Sequence, residues 1–238
     1  MSKKTLDRIL QSQGFGTRNH CRDLIRNGEV RVQGEEATDP SAGFDTDELE
    51  FEVCGKCWMY RERLYLALNK PSNFECSRKP SHHPGVLTLL PEQFRARDVQ
   101  PVGRLDHDTT GLLLLSDDGA FIHAQSSPKR HVPKIYVATT QEAVTPALIA
   151  QLRDGVKLVD EPAPLSGLAR QLDTRRLEIV LEQGKYHQVK RMLAAAGNHC
   201  VALRRIAIGG LTLDALGLQE GEWCYLDAAQ RASLAPRP

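Results

Sequence analysis

Long apolar runs are missing from this chain: no stretch of about 18 apolar residues occurs, so no membrane-spanning helix is expected. The N-terminus, MSKKTLDRIL, lacks the apolar core of a secretory signal, and the protein is expected in the cytoplasm. An excess of charge of one sign is missing too. The formal net charge of +1 argues against a general cationic coat. There is no glycine-rich phosphate loop, internal repeat or low-complexity tract, and nothing points to a nucleotide cofactor. A second CxxC is also lacking. Cys54-Gly55-Lys56-Cys57 stands alone; Cys76 with His82 or His83 could complete four zinc ligands, but regular finger spacing is absent. The other reading is a solvent-side linker loop, and no metal is expected. The six cysteines then read as reduced residues rather than disulfides.

What is present is an ordinary globular composition, 41% hydrophobic and 26% charged. The 238 residues suffice for one domain of usual size plus a small one. Charge is segregated along them. Residues 1–34 hold seven basic and three acidic residues, residues 35–52 hold eight acids and no base, and residues 175–205 hold seven bases and two acids. Local footprints for a polyanion fit that distribution.

Leu6, Ile9 and Leu10 share one helix face, and Thr17 is a fair N-cap for a second helix with Cys21, Leu24 and Ile25 inward. Arg18, Arg22 and Arg26 recur every fourth residue on its other face. They read either as a solvated face or as guanidinium groups laid along a phosphate backbone. Val30 and Val32, then Leu49, Phe51 and Val53, alternate as short strands.

Farther along, Val102 to Gly119 reads VGRLDHDTTGLLLLSDDG. Leu112 to Leu115 predicts a strand buried on both faces. Before it, Arg104, Asp106, His107, Asp108, Thr109 and Thr110 crowd a stretch that favours a structured loop. Three readings compete on the residues alone: a turn whose carboxylates cap amides, a hard-metal site of Asp106, Asp108, Asp117 and Asp118, or one carboxylate acting as nucleophile or base beside a cation. A pair of glycosidase acids at Asp106 and Asp108 is disfavoured, because such acids stand about 5 Å or more apart across a bond, which one tight loop rarely achieves.

GRLDHDTTGLLLL followed by DDG resembles the signature loop of the RNA pseudouridine synthases, specifically the RsuA-type branch. The resemblance implies that Asp106, the aspartate after Arg-Leu, is catalytic. Further motifs follow in order. The strand ending Leu68-Asn69-Lys70-Pro71 resembles the family's LNKP strand, and the Ser-, His- and Pro-rich residues 72–85 read as a mobile surface loop. After Pro128-Lys129-Arg130-His131, Lys134-Ile135-Tyr136 matches a lysine-any-tyrosine motif. It implies that Tyr136 stacks on an extruded base; without the family, a packed ring with a wet hydroxyl is the plainer reading. Gly184-Lys185-Tyr186-His187-Gln188-Val189-Lys190 resembles the third motif, in which Lys190 would pair with the catalytic aspartate. Arg104, His187, Gln188, Arg18, Arg22 and Arg26 complete the expected substrate-binding set.

The implied fold is α+β: an alpha-L type RNA-binding module (helix, helix, small sheet) at 1–55, a linker at 56–63, and a pseudouridine synthase domain at 64–238 with a mixed, mainly antiparallel sheet flanked by helices. Strands are expected near 156–159, 165–171, 176–182 and 222–226. The implied reaction isomerises a uridine in ribosomal RNA without a cofactor, and the expected partner is 16S (small-subunit) rRNA bound by a monomer. Sister branches act on 23S rRNA. A non-catalytic rRNA-binding assembly factor is the rival from another class.

Overall fold

The computed structural model describes residues 3–127 and 130–235, so Pro128 and Lys129 of the basic turn lie outside the described residues. The chain divides into two compact units, Met1–Leu64 with Leu90–Val99, and Tyr65–Leu89 with Gln100–Pro238.

In the first unit the helices Leu6–Ser12 and Arg18–Arg26 bury Leu6, Ile9, Leu10, Cys21 and Ile25 against Val30, Phe51 and Val53. Helical spacing lays those residues on one stripe. The Thr17 hydroxyl caps the second helix by accepting from the His20 amide at 3.3 Å. A four-stranded sheet follows in the order Glu35–Glu36, Val30–Val32, Glu50–Val53, Lys56–Met59. Residues 56–63 are therefore not a free linker. Lys56–Met59 closes a hairpin on Glu50–Val53 through Cys54 and Gly55, whose φ values are 51° and 77°. Two-residue turns of that hand favour Asn-Gly or Asp-Gly, so Cys-Gly conceals the hairpin. The unit also takes in the helix Glu92–Ala96, whose Phe94 ring meets Trp58 edge-on at 6.4 Å. Gly14 makes that packing possible: a Cβ there would lie 2.1 Å from the Gln93 carbonyl oxygen.

The second unit is built on a sheet of nine strands among the described residues. Its main path is Leu168–Gln171, Arg176–Leu181, Lys134–Thr140, Cys200–Ile208, Thr110–Ser116, Tyr65–Lys70, Trp223–Tyr225. Its ladders are antiparallel except one, where Arg204 and Arg205 pair in parallel with Thr110 and Gly111. This is the mixed, mainly antiparallel sheet expected. Leu112 to Leu115 are fully buried in its middle. No ladder forms at 156–159; Val156 makes one bridge to Leu165. Helix Gly119–Ser126 starts on the Asp118 carboxylate, helix Pro146–Asp154 on the Thr145 hydroxyl, and helix Gln188–Ala195 packs Val189, Met192 and Leu193 into the core.

Candidate active site

The acidic loop joins Val102 to the central strand Thr110–Ser116, turning at Gly103 (φ 75°) and again where the Thr109 amide donates to the Asp106 carbonyl at 3.1 Å. Beneath it stands Lys70, 0% exposed at the end of Tyr65–Lys70. Its Nζ donates to the carbonyl oxygens of Pro71, His107 and Thr109, each at 2.9 Å. Burial pushes this ammonium below its ordinary pKa, and three acceptors match its three protons. The Asn73 amide adds a 2.8 Å bond to the His107 carbonyl, and the Leu105 amide donates to Cys76 Sγ at 3.4 Å. The backbone on both sides of Asp106 is thus pinned from below.

Asp106 meets two cationic or protonatable groups from the start of helix Gln188–Ala195. Its Oδ1 lies 3.2 Å from His187 Nε2 and its Oδ2 lies 3.2 Å from Lys190 Nζ. His187 caps that helix in the left-handed backbone region (φ 46°). Lys190 is shared: its Nζ donates to Asp108 Oδ1 at 2.6 Å. Burial pulls the Lys190 ammonium down, but the Asp108 bond and the two carboxylate charges outweigh it, and the net shift is upward. At Asp108 burial pushes the carboxyl up while the Lys190 bond and charge pull it further down, so it sits below its ordinary value. One cation therefore bridges two carboxylates.

A cavity of about 830 Å³ opens beside Asp106, with Arg104, Lys134, Tyr136, His187 and Arg205 on its walls. Tyr136 approaches Arg205 there, 3.5 Å from Oη to Nη1. Residues 72–85, expected to be mobile, form an organised wall instead. The Glu75 carboxylate accepts from the amides of Ser81, His82 and His83 at 3.2, 2.8 and 2.9 Å, and His83 stacks on His107 at 4.6 Å.

Asp106, Tyr136, Lys190, His187 and Arg104 thus gather at one site, with Lys190 rather than Arg104 paired to Asp106. Gln188 does not join them. It is 5% exposed; its Oε1 accepts from the Lys185 amide at 3.1 Å and its Nε2 donates to Met192 Sδ at 3.8 Å, so the side chain serves the helix start. In the first unit, Arg18 and Arg22 are not an unencumbered phosphate stripe. Both Nε groups donate to Asp7 Oδ2, at 2.7 and 2.9 Å, and Asp7 is 1% exposed. Burial would raise the Asp7 carboxyl, but those bonds and the Thr5 hydroxyl hold it well below the usual carboxylate range. Arg26 remains exposed. Among the described residues no three His, Cys, Asp or Glu side chains cluster as a metal cage.

Arg205, and Asp108 as a partner of Lys190, are site residues that no motif singled out, while Lys70 and Lys134 stand in the LNKP and lysine-any-tyrosine motifs without a role of their own being read there. A weak signal existed for Arg205. In Cys200–Ile208 the alternation puts Leu203, Arg205 and Ala207 on one buried face, and a charge on such a face calls for a function.

Residues 64–195 match the RNA pseudouridylate synthase family, and residues 4–45 match the S4 domain family. The ribosomal small subunit pseudouridine synthase A of Yersinia pestis is 39% identical over 217 residues, covering 89% of this chain and 85% of that protein. An uncharacterized RNA pseudouridine synthase of Bacillus subtilis is 35% identical over 92% of both chains. A crystal structure of a pseudouridylate synthase matches with a TM-score of 0.69 at 33% identity, covering 97% of this chain and 99% of that one. With its loop, its third-motif helix and its sheet arranged as described, the chain belongs to the RNA pseudouridine synthase family and carries an S4 RNA-binding domain ahead of the synthase fold.

Proposed function

We propose that this enzyme converts a specific uridine of 16S (small-subunit) ribosomal RNA to pseudouridine, drawing the base out of its stack into the cavity beside Asp106. The observation that carries this is the placement of Asp106 on the wall of an 830 Å³ cavity, 3.2 Å from both Lys190 and His187. The reaction breaks the N1–C1′ bond, turns the uracil and rejoins it through C5. Asp106 attacks C1′ or removes the 2′ proton, and Lys190 supplies the countercharge. Extrusion costs a few kcal/mol. Stacking on Tyr136 returns roughly 1–3 kcal/mol of it. The S4 domain and the exposed bases of the stretch 175–205, Lys190 and Arg205 apart, supply further affinity through phosphates, an attraction that weakens as salt rises. The protein works as a monomer in the cytoplasm, and the isomerisation balances without a cofactor.

The small-subunit target is supported by the relative named for that subunit. Base-specific mapping of pseudouridine in both rRNAs, from cells with and without the gene, tests it. One site lost from 16S rRNA is the expected result. A loss confined to 23S rRNA, or none, would refute the assignment.

A further inference from the structure

Arg205 is a buried charged residue with an unmatched hydrogen-bond donor. It is 4% exposed; its Nε donates to the Leu112 carbonyl at 2.7 Å, its Nη1 reaches the Tyr136 hydroxyl at 3.5 Å, and its buried Nη2 has no hydrogen-bond partner. A guanidinium cannot shed its charge, so a buried donor left unmatched is a standing cost to the fold. Lys134, on the neighbouring strand Lys134–Thr140, lines the same cavity. Burial pushes its ammonium below the ordinary value, and the Arg205 charge pushes the same way against Glu182. Two of the cavity's carboxylates are engaged elsewhere, Asp106 with Lys190 and His187 and Glu75 with three amides, while Glu182 lies 3.3 Å from His131 and offsets part of the charge at Lys134. Arg205 and Lys134 therefore set two cations against the one Glu182 carboxylate beside Tyr136, and Arg205 keeps a buried, unmatched Nη2 donor, the makings of an anion site.

We propose that Arg205 and Lys134 hold the uracil during the interval in which it is detached and anionic. This rests on the reading that the cavity receives the extruded uridine. Heterolysis of N1–C1′ leaves the bonding pair on N1, and the resulting charge spreads to O2 and O4. Meanwhile C1′ is bonded by an Asp106 oxygen, or becomes a glycal carbon as Asp106 takes the 2′ proton. C5 then bonds to C1′, Asp106 leaves C1′ or returns its proton to C2′, and the C5 proton is lost as N1 gains one. The sum is an isomerisation. Intact uridine is neutral at the base, so the two cations favour the broken state over the ground state, which is the form of binding that raises a rate.

The test compares single-turnover consumption of a target uridine with that of 5-fluorouridine at the same position, in the wild type, Arg205→Gln, Arg205→Lys and Lys134→Met. Fluorine makes the detached base a weaker base, so it needs less help to leave. On uridine, Arg205→Gln and Lys134→Met should each slow the step by about 10²-fold, the scale of losing one preorganised donor. RNA affinity should change by no more than about twofold, because the interaction is absent from the ground state. On 5-fluorouridine the loss should shrink to less than about tenfold, with Arg205→Lys recovering part of the rate. Equal slowing on both bases, or a loss that appears as weaker RNA binding, would overturn the proposal and assign the pair to a phosphate. Lys134 is only partly buried, so Lys134→Met keeps the test decisive should Arg205→Gln fail to fold. A wild type that consumes no uridine would overturn the enzymatic reading and this inference with it; a working wild type with equal losses overturns this inference alone.

Discussion

Replacing Lys70 with Met removes the post beneath the Asp106 loop while keeping a side chain of similar length and apolar bulk. Three hydrogen bonds of 2.9 Å from a charged donor disappear, and three carbonyls, from Pro71, His107 and Thr109, lose a partner. Bonds to charged groups contribute about 1.5–3 kcal/mol each, but the variant also escapes the cost of burying the ammonium, which its downward-shifted pKa reveals. The net destabilisation should be roughly 3 kcal/mol, the lower end for removing one partner from a buried charged network. At about 2–4 °C per kcal/mol for a unit of this size, the melting midpoint of the synthase fold should fall by about 6–12 °C. Because two of the pinned carbonyls, His107 and Thr109, directly follow Asp106 in its loop, its misplacement by about 1 Å should slow the chemical step on the order of 10²-fold at temperatures where the variant is folded. Circular dichroism melts and single-turnover pseudouridine formation, measured on one preparation, give both numbers. A variant with unchanged midpoint and unchanged rate would refute the claim that this lysine positions the loop.

Two other substitutions probe the charged groups. Lys190→Met should lower kcat by on the order of 10²-fold with a smaller effect on RNA affinity, since it removes the countercharge from both Asp106 and Asp108; an unaltered kcat would contradict the pairing. The Lys190–Asp108 pair should persist between about pH 5 and 10, because Lys190 is shifted upward from 10.5 and Asp108 downward from 3.8, so each partner keeps its charge across that window. An NMR titration of the Asp108 carboxyl showing protonation above pH 5 would contradict this. Asp7→Ala should destabilise the S4-containing unit by about 3 kcal/mol at pH 7. The folded-state Asp7 value is depressed below 3.8, so its contribution is present above about pH 4 and is lost as pH falls below that. Urea unfolding followed through Trp58, in a Trp223→Phe background, should show the variant and the parent converging in acid; a constant gap down to pH 2 would refute the assignment.

Much of the fold was legible because the residues carrying it have one plain meaning. Leu112 to Leu115 form a doubly buried strand, Thr145-Pro146 starts a helix, and Val189, Met192 and Leu193 mark the inward face of the third-motif helix. Misreadings fell where a local rule was overridden. Cys54-Gly55 made a tight hairpin without the usual turn residues, and Phe94 packed with Trp58, a partnership between distant residues that no periodicity reveals. The spacing of Arg18 and Arg22 located their helix face correctly, but a buried acid, Asp7, from the preceding helix lay beneath that face. At the site, motif order located Asp106, Tyr136 and Lys190. It could not show that Asp108 shares the lysine, or that Lys70 and Arg205 stand buried around the same loop and cavity, because those roles follow from strand neighbours distant in sequence.

The most direct measurement is a single-turnover assay of the Asp106→Asn variant on small-subunit rRNA, reading pseudouridine and RNA affinity together. Asparagine preserves size and hydrogen bonding to Lys190 while removing the charge. Pseudouridine formation should fall by about 10⁴-fold or more with RNA affinity nearly unchanged, as for loss of a group required in the chemical step. Turnover within tenfold of the wild type would contradict the assignment of the bond-breaking to this carboxylate.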